Sequence, residues 1–316
     1  MNMECIEYID FMKGIAIFLV VLGHVYQFCF KDTGQVFQFI YIFHVPFFFL
    51  LSGYFAQRTK VNVDFFKKKT ISLLFPFVFG GSLFALLNGQ MQAYIYSDFH
   101  AGYWFLWSLW HCWLLFALML KIIEWLRIKH GVLQIGVLLL PFLISKLFDG
   151  STPYGLSLSF TFAFYRFFIL GYMIGKYKWM ESWLSKELVQ AICLILFVLF
   201  YCMDDSVFVK ALPMTVVQVL LCLAFFSLLK CIYLVCNHKV GRYVIGGGKK
   251  SLHLYIFHYY IIYSLTCESF NNLSIGWQML AACCFSFLII LLTLSFACLF
   301  EKNRFLSYLF LGKIKQ

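Results

Sequence analysis

Runs of about twenty apolar residues recur along this chain, and no other feature restricts its fold so severely. A helix rises about 1.5 Å per residue, so roughly 20 residues cross the hydrocarbon core of a bilayer. On that ruler ten spans are expected, over residues 11–30, 37–57, 70–90, 104–123, 131–148, 158–175, 188–203, 212–235, 252–268 and 276–300. With 63% of 316 residues hydrophobic and only 12% charged, too few polar side chains remain to coat a soluble domain. The expected class is all-α, a polytopic transmembrane helix bundle of about ten helices. No linker, internal repeat or low-complexity tract divides it, so a single domain over 1–316 is expected. The first apolar segment follows Glu4, Glu7 and Asp10, and no small-residue cleavage site precedes the second span. It reads as a retained helix rather than a signal peptide.

A formal net charge of +11 would suggest nucleic acid in a soluble protein. Here the basic residues sort by side instead. With the N-terminus inside, only Lys31, Lys146 and Lys210 fall in outer loops and Arg166 falls within a span, which leaves 21 of the 25 Lys and Arg inside. That bias predicts cytoplasmic N- and C-termini in a multi-pass inner-membrane protein whose surroundings are membrane lipids, with no nucleic-acid partner. Tyr94, Tyr96, Tyr103 and Trp104 on one side, and Trp125, Tyr177, Trp179 and Trp183 on the other, fit interfacial aromatic belts. The twelve cysteines lie mostly in apolar runs, with no CxxC pair and no His/Cys spacing suited to zinc. They read as small core residues, and no metal site is expected.

Ionisable side chains inside spans need a reason to be there. His24 on the first span and His44 on the second both come about 10 Å below the outer edge, with His111 and Arg166 at about 12 to 14 Å. His253 and His258 enter from the cytoplasmic side, beside GRYVIGGGKK, which places them in the inner half and predicts two sites at different depths. Gly23 removes a side chain beside His24 and allows close approach of a helix or a ligand. Lys13 lies eleven positions earlier, about 16 Å along the same helix, where it can hold an anion whose arm extends toward His24. Pro46 predicts a kink in the second span. Ser52-Gly53-Tyr54 supplies small and hydroxylic groups near its inner end, suited to tight helix packing or to a ligand. The Gly246 to Gly248 run ahead of Lys249 and Lys250 reads as a flexible turn, or as amides that receive phosphate oxygens. Arg166 must face protein or a watery cavity, where it binds an anion, orients a hydroxyl or neutralises a carboxylate. No Asp or Glu falls clearly mid-span, so a partner orienting His24 is sought in His44, a backbone carbonyl, Asp98 or Asp149.

The blocks IDFMKGIAIFLVVLGH, FHVPFFFLLSGYF, KKKTISLLFPF, YWFLWSLWHCWLLFAL, YRFFILGYMIGKY and SLHLYIFHYY occur in an order that resembles the membrane acyltransferase-3 family, over nearly the whole chain. That family contains bacterial O-acyltransferases, commonly acetylating surface glycans. Its Arg-x10-His pattern on the first helix is similar to Lys13-x10-His24, with Lys in place of Arg, a point charge where the family has a bidentate fork. The resemblance implies acetyl (acyl) transfer from cytoplasmic acetyl-CoA to a sugar hydroxyl on a cell-surface glycan or lipid-linked saccharide. His24 is then the base or the acyl carrier, with His44 as a second catalytic candidate. Donor contacts are expected from Lys13, Ser52, Tyr54, Lys249 and His258, and acceptor contacts from Arg166, Trp104 and His111. The alternative is a transporter or flippase for a saccharide or acylated glycan, in which the His and Arg line a passage.

Overall fold

A computed structural model describes residues 4–146, 155–202, 213–236, 238–265, 270 and 272–313, and among these every regular element is helical. In chain order they are α1 (Glu4–His24), α2 (Gln35–Ala56), α3 (Val63–Lys69), α4 (Ser82–Leu87), α5 (Met91–Tyr96), α6 (Trp104–Trp125), α7 (Gly131–Ser145), α8 (Leu158–Lys176), α9 (Lys178–Leu184), α10 (Glu187–Cys202), α11 (Met214–Val235), α12 (His238–Lys249), α13 (Ser251–Ile262), α14 (Ile275–Lys302) and α15 (Arg304–Leu311). Backbone in lipid must satisfy its own hydrogen bonds, which is why a chain this apolar resolves into helices.

Among the described residues, seven helices are long and apolar enough to cross a membrane, or eight if the bent pair α9 and α10, meeting at 66°, forms one span. Seven or eight of the ten expected spans are thus long enough to cross among these residues. Helix α7, with 15 residues, and helix α13, with 12, occupy expected spans but fall short of a bilayer's thickness. Among the described residues, His100–Gly102 forms a 3-10 turn and three further stretches are π-helical. Val25–Phe30 continues α1 as a π-helix, and Thr70–Leu74 and Pro76–Gly81 do the same between α3 and α4. Pro76 has no N–H to give, so the ladder reorganises around it. Helix α2 runs through Pro46 without ending.

The chain falls into two compact units, each assembled from two segments: Met1–Leu51 with Met173–Ser295, and Ser52–Tyr172 with Phe296–Gln316. In the first unit α1 and its π-helical extension are wrapped on several sides. Val21, Leu22, Val25, Tyr26, Cys29 and Phe30 share a core with Ile40 of α2, Ile262 of α13, and Ala282 and Ile289 of α14. At the start of α1, Glu181 of α9 accepts from the Tyr8 hydroxyl (2.8 Å) and from Lys230 of α11 (3.0 Å), tying three helices to one carboxylate.

Helix α12 corrects the turn expected at the three glycines. Gly246 to Gly248 are helical, and a side chain at Gly248 would run into the carbonyl oxygen of Asp10, as one at Gly14 would run into that of Val244. These glycines let two backbones touch, the small-residue contact typical of membrane helices. Because Gly248 is seated on Asp10, α13 starts beside the early turns of α1 and runs on with it. Leu254 packs with Ile17 and Val20. In the second unit Trp113 of α6 packs edge-on against Phe168 of α8 at 5.0 Å between centroids, and Phe116 packs tilted against it at 5.5 Å. Asp98 accepts from the backbone N–H groups of Gly155 and Ser157 (2.9 Å each) just ahead of α8.

Candidate active site

His24 is the last residue of α1 and is buried, with the π-helical turn directly after it. That turn brings Gln27 back to the ring: Gln27 Oε1 lies 3.2 Å from His24 Nδ1. Tyr41 of α2 completes the contact, its hydroxyl 2.9 Å from Nδ1 and 2.7 Å from Gln27 Oε1. Tyr41 reaches this place because residue 23 is glycine. A Cβ there would stand 2.9 Å from the Tyr41 ring, so the close approach expected at Gly23 is made by the second helix. On the other side of the imidazole, the Tyr259 hydroxyl of α13 lies 3.0 Å from Nε2.

The proton inventory assigns the tautomer. Gln27 Oε1 can only accept, and the single Tyr41 hydroxyl proton goes to it. The tautomer that serves every group has His24 Nδ1 carrying its own hydrogen, donated to Tyr41 Oη and Gln27 Oε1, since with Nδ1 unprotonated the single Tyr41 proton would have to serve both Nδ1 and Oε1. Nε2 is left with its lone pair, accepting from Tyr259. The arrangement is a base held by a second group on its far nitrogen, the logic of a hydrolytic triad with an amide where a carboxylate often stands.

Two further histidines flank it. His44 is buried on α2 with its Nδ1–H donated to the Ile40 carbonyl (2.8 Å), and its ring meets Tyr41 edge-on at 4.7 Å. His258, fully buried on α13, donates Nδ1–H to the Leu254 carbonyl (2.8 Å) and stacks on His24 at 5.3 Å between centroids. Each is fixed by a carbonyl four residues back, so each has an unprotonated Nε2. Nε2 of His258 has no hydrogen-bond partner among the described residues.

This corrects the expectation that His258 belongs to a separate inner site. The reason is the start of α13. Leu254, two residues into the expected ninth span, lies beside residues six to nine positions into the first, a displacement of roughly 6 to 10 Å that carries His258 up to His24. The orienting partner of His24 also differs from those sought. It is the Gln27 amide with the Tyr41 hydroxyl, while both of the Asp98 bonds described above go to backbone amides of the second unit. Asp149 lies outside the described residues. Gln27, Tyr41 and Tyr259 were not singled out from the sequence. The available signal was a polar residue three positions after His24, a tyrosine three positions before His44 and one directly after His258.

Of the residues expected to contact a donor, Lys13 is ion-paired with Asp10 at 3.2 Å and half-buried. Lys249 is exposed and directly follows Gly248, which meets Asp10 and Gly14, so Lys13, Lys249 and Lys250 belong to the same level of α1, in the half away from His24. A small set of cations with one carboxylate suits an anionic group there. Ser52 and Tyr54 lie in the second unit, Ser52 half-buried and Tyr54 buried, flanking Gly53, which meets the backbone of Phe168. The expected acceptor residues are also in that unit. The Arg166 guanidinium lies 4.9 Å from the Phe167 ring and 5.3 Å from that of Phe142. Trp104 stacks on Phe164 at 5.5 Å, and His111 meets the rings of Trp107 and Trp110 at 4.8 and 5.2 Å.

A helical membrane protein with a buried, oriented, unprotonated imidazole defines a class able to move a proton or a group within the bilayer. Residues 6–300 match the family model described as an acyltransferase domain, and the chain belongs to this acyltransferase-3 family. It is 31% identical over 160 residues to nodulation protein NolL of Sinorhizobium fredii (strain NBRC 101917 / NGR234), covering 43% of this chain and 42% of that protein. It is 29% identical over 118 residues to nodulation protein NolL of Mesorhizobium japonicum (strain LMG 29417 / CECT 9101 / MAFF 303099), covering 31% of this chain and 32% of that one. The chain thus matches less than half the length of these curated relatives. No solved structure is significantly similar.

Proposed function

We propose that the protein is an inner-membrane O-acyltransferase that moves acetyl from cytoplasmic acetyl-CoA to a sugar hydroxyl of a surface glycan or lipid-linked saccharide. The observation that carries the reading is His24 itself, with Nδ1–H held by Gln27 and Tyr41 and the Nε2 lone pair turned to Tyr259. In direct transfer Nε2 takes the hydroxyl proton as the oxygen attacks the thioester carbonyl. The C–S bond breaks, and the proton passes to the departing CoA sulfur. In the two-step version Nε2 attacks the thioester carbonyl and the C–S bond breaks to release CoA thiolate; the hydroxyl oxygen then takes the acyl group from Nε2, which is restored to the free imidazole, and the hydroxyl proton leaves with the thiolate as CoA thiol. Both need Nε2 unprotonated, and both need Tyr259 to give way to substrate, which frees its O–H for the oxygen where negative charge develops. His258 Nε2, an acceptor with no donor among the described residues, suits the incoming hydroxyl. The CoA phosphates fit the half of α1 away from His24, at the level of Lys13, Lys249 and Lys250.

Purified protein in detergent, given acetyl-CoA and a membrane glycolipid extract, should release CoA thiol and acetylate the extract. His24→Ala should abolish both and still bind CoA by calorimetry. Unchanged transfer by a folded His24→Ala protein refutes the reading. Saccharide flux across vesicles that persists in His24→Ala, without any acetyl transfer by the wild type, would instead favour a transporter.

A further inference from the structure

At the C-terminal end of the second unit, four donors converge on one open cleft of about 350 Å³, lined by Arg304, Ser307, Tyr308 and Lys313. The local sequence builds it. Asn303 caps α15 by accepting from the N–H groups of Phe305 and Leu306, and positions 304, 307 and 308 then fall on one face of the helix. The chain turns at Gly312 (φ 60°), and Lys313 folds back, its N–H donating to the Ser307 carbonyl at 3.3 Å. Gly312 itself rests on Ile71 and Ser72, two and three residues after the Lys67 to Lys69 run, and the Tyr308 ring is braced edge-on by Phe75 at 5.3 Å.

The polar side chains of the described lining are chiefly donors. The Arg304 guanidinium and the Ser307 and Tyr308 hydroxyls make no hydrogen bond or ion pair among the described residues, while Lys313 is balanced by Glu301 at 2.6 Å. A planar fork, two hydroxyls and an ammonium around a space too large for a carboxylate are the equipment for a phosphate ester. We infer that this cleft is a binding site for a phosphate-ester anion, either the nucleotide phosphate of a CoA thioester or the headgroup of an anionic phospholipid. The inference is independent of the role given to His24.

The test titrates the purified full chain, in a zwitterionic detergent at fixed ionic strength, with coenzyme A and separately with short-chain phosphatidylglycerol. Arg304→Gln should weaken at least one of the two by roughly tenfold or more, the loss of a charged hydrogen bond. Ser307→Ala and Tyr308→Phe should each weaken the same probe a few-fold, and Lys121→Gln, elsewhere on the surface of this unit, should leave it unchanged. A response to coenzyme A assigns the cleft to the donor, and a response to the lipid alone assigns it to the bilayer. Binding that is equal in wild type, Arg304→Gln and the two hydroxyl variants, or no binding of either probe, overturns the site. Ligand-free thermal unfolding of each variant separates loss of the cleft from loss of the fold.

Discussion

Gly23→Ala tests the core of the site without touching any group that reacts. The added methyl would stand 2.9 Å from Tyr41 Cε2, against about 3.5 Å for an ordinary carbon contact, so the ring must retreat by roughly 0.6 Å. It has little room to do so gently, since Phe37 lies against it at 3.9 Å between centroids and His44 at 4.7 Å. The hydroxyl moves with the ring, and its 2.9 and 2.7 Å contacts with His24 and Gln27 stretch past the ~3.2 Å limit of a sound hydrogen bond. One neutral hydrogen bond is worth about 0.5 to 1.5 kcal/mol, so kcat for acetyl transfer should fall about two- to twelvefold with the acetyl-CoA Kd unchanged. Tyr41→Phe should cost a similar amount by deleting the same hydroxyl. In that background Gly23→Ala should cost nothing further, because the bond it disturbs is already gone. Transfer rates are compared in proteins whose thermal unfolding is checked first. A full rate in Gly23→Ala, or two losses that simply multiply, would refute the idea that Gly23 serves His24 through Tyr41.

Gly248→Val should lower stability by about 1 to 3 kcal/mol in thermal or denaturant unfolding, because the side chain meets the Asp10 backbone, whereas Gly247→Ala, with open space around it, should be neutral or slightly stabilising. Asp98→Ala strands the N–H groups of Gly155 and Ser157 and should cost about 1 to 3 kcal/mol, while Asp98→Asn keeps an acceptor and should cost little. His100, in the loop ahead of α6, is buried with Nδ1–H on the Tyr94 carbonyl, and burial holds its pKa below the usual value of 6.5. The unfolded chain therefore binds the proton first, so stability is fully present above pH 6.5 and declines as the pH falls below it. His100→Phe should flatten that decline in the melting temperature measured between pH 7 and 5.

The sequence carried the class of fold because the bilayer's thickness acts on length and hydropathy alone. Where it misled, the cause was depth. Helices α7 and α13 are apolar but too short to span, and hydropathy does not say where along a neighbour a helix begins. That starting point is fixed by Gly248 on Asp10, a backbone contact between residues far apart in the chain, and it decides whether His258 faces His24 or lies a turn or two away. His24 itself was readable as an ionisable group with glycine beside it. Gln27 was not, because its return to the ring depends on the π-helical turn over Val25–Phe30, and an extra residue in a turn leaves no mark in apolar periodicity.

The same geometry gives His258 a larger role than a histidine on another helix at another depth would have. Its ring is fully buried, stacked on His24, and pinned through Nδ1–H to the Leu254 carbonyl. Nε2 is therefore an acceptor that meets no donor among the described residues, and a buried acceptor left so costs about 1 to 3 kcal/mol until something donates to it. A sugar hydroxyl on its way to His24 is such a donor, and the amide N–H groups of a CoA pantetheine arm are its competitors, so the assignment to the acceptor is decided by which ligand the variant loses. His258→Leu should then raise KM for the acceptor by about fivefold or more and lower kcat through poorer alignment, with CoA affinity unchanged. His258→Gln, which can still present an acceptor, should recover part of the loss. Acetylation at the wild-type rate and acceptor KM in a folded His258→Leu protein would show that the stacked ring is packing alone. A loss of CoA affinity, with the acceptor KM intact, would return His258 to the donor.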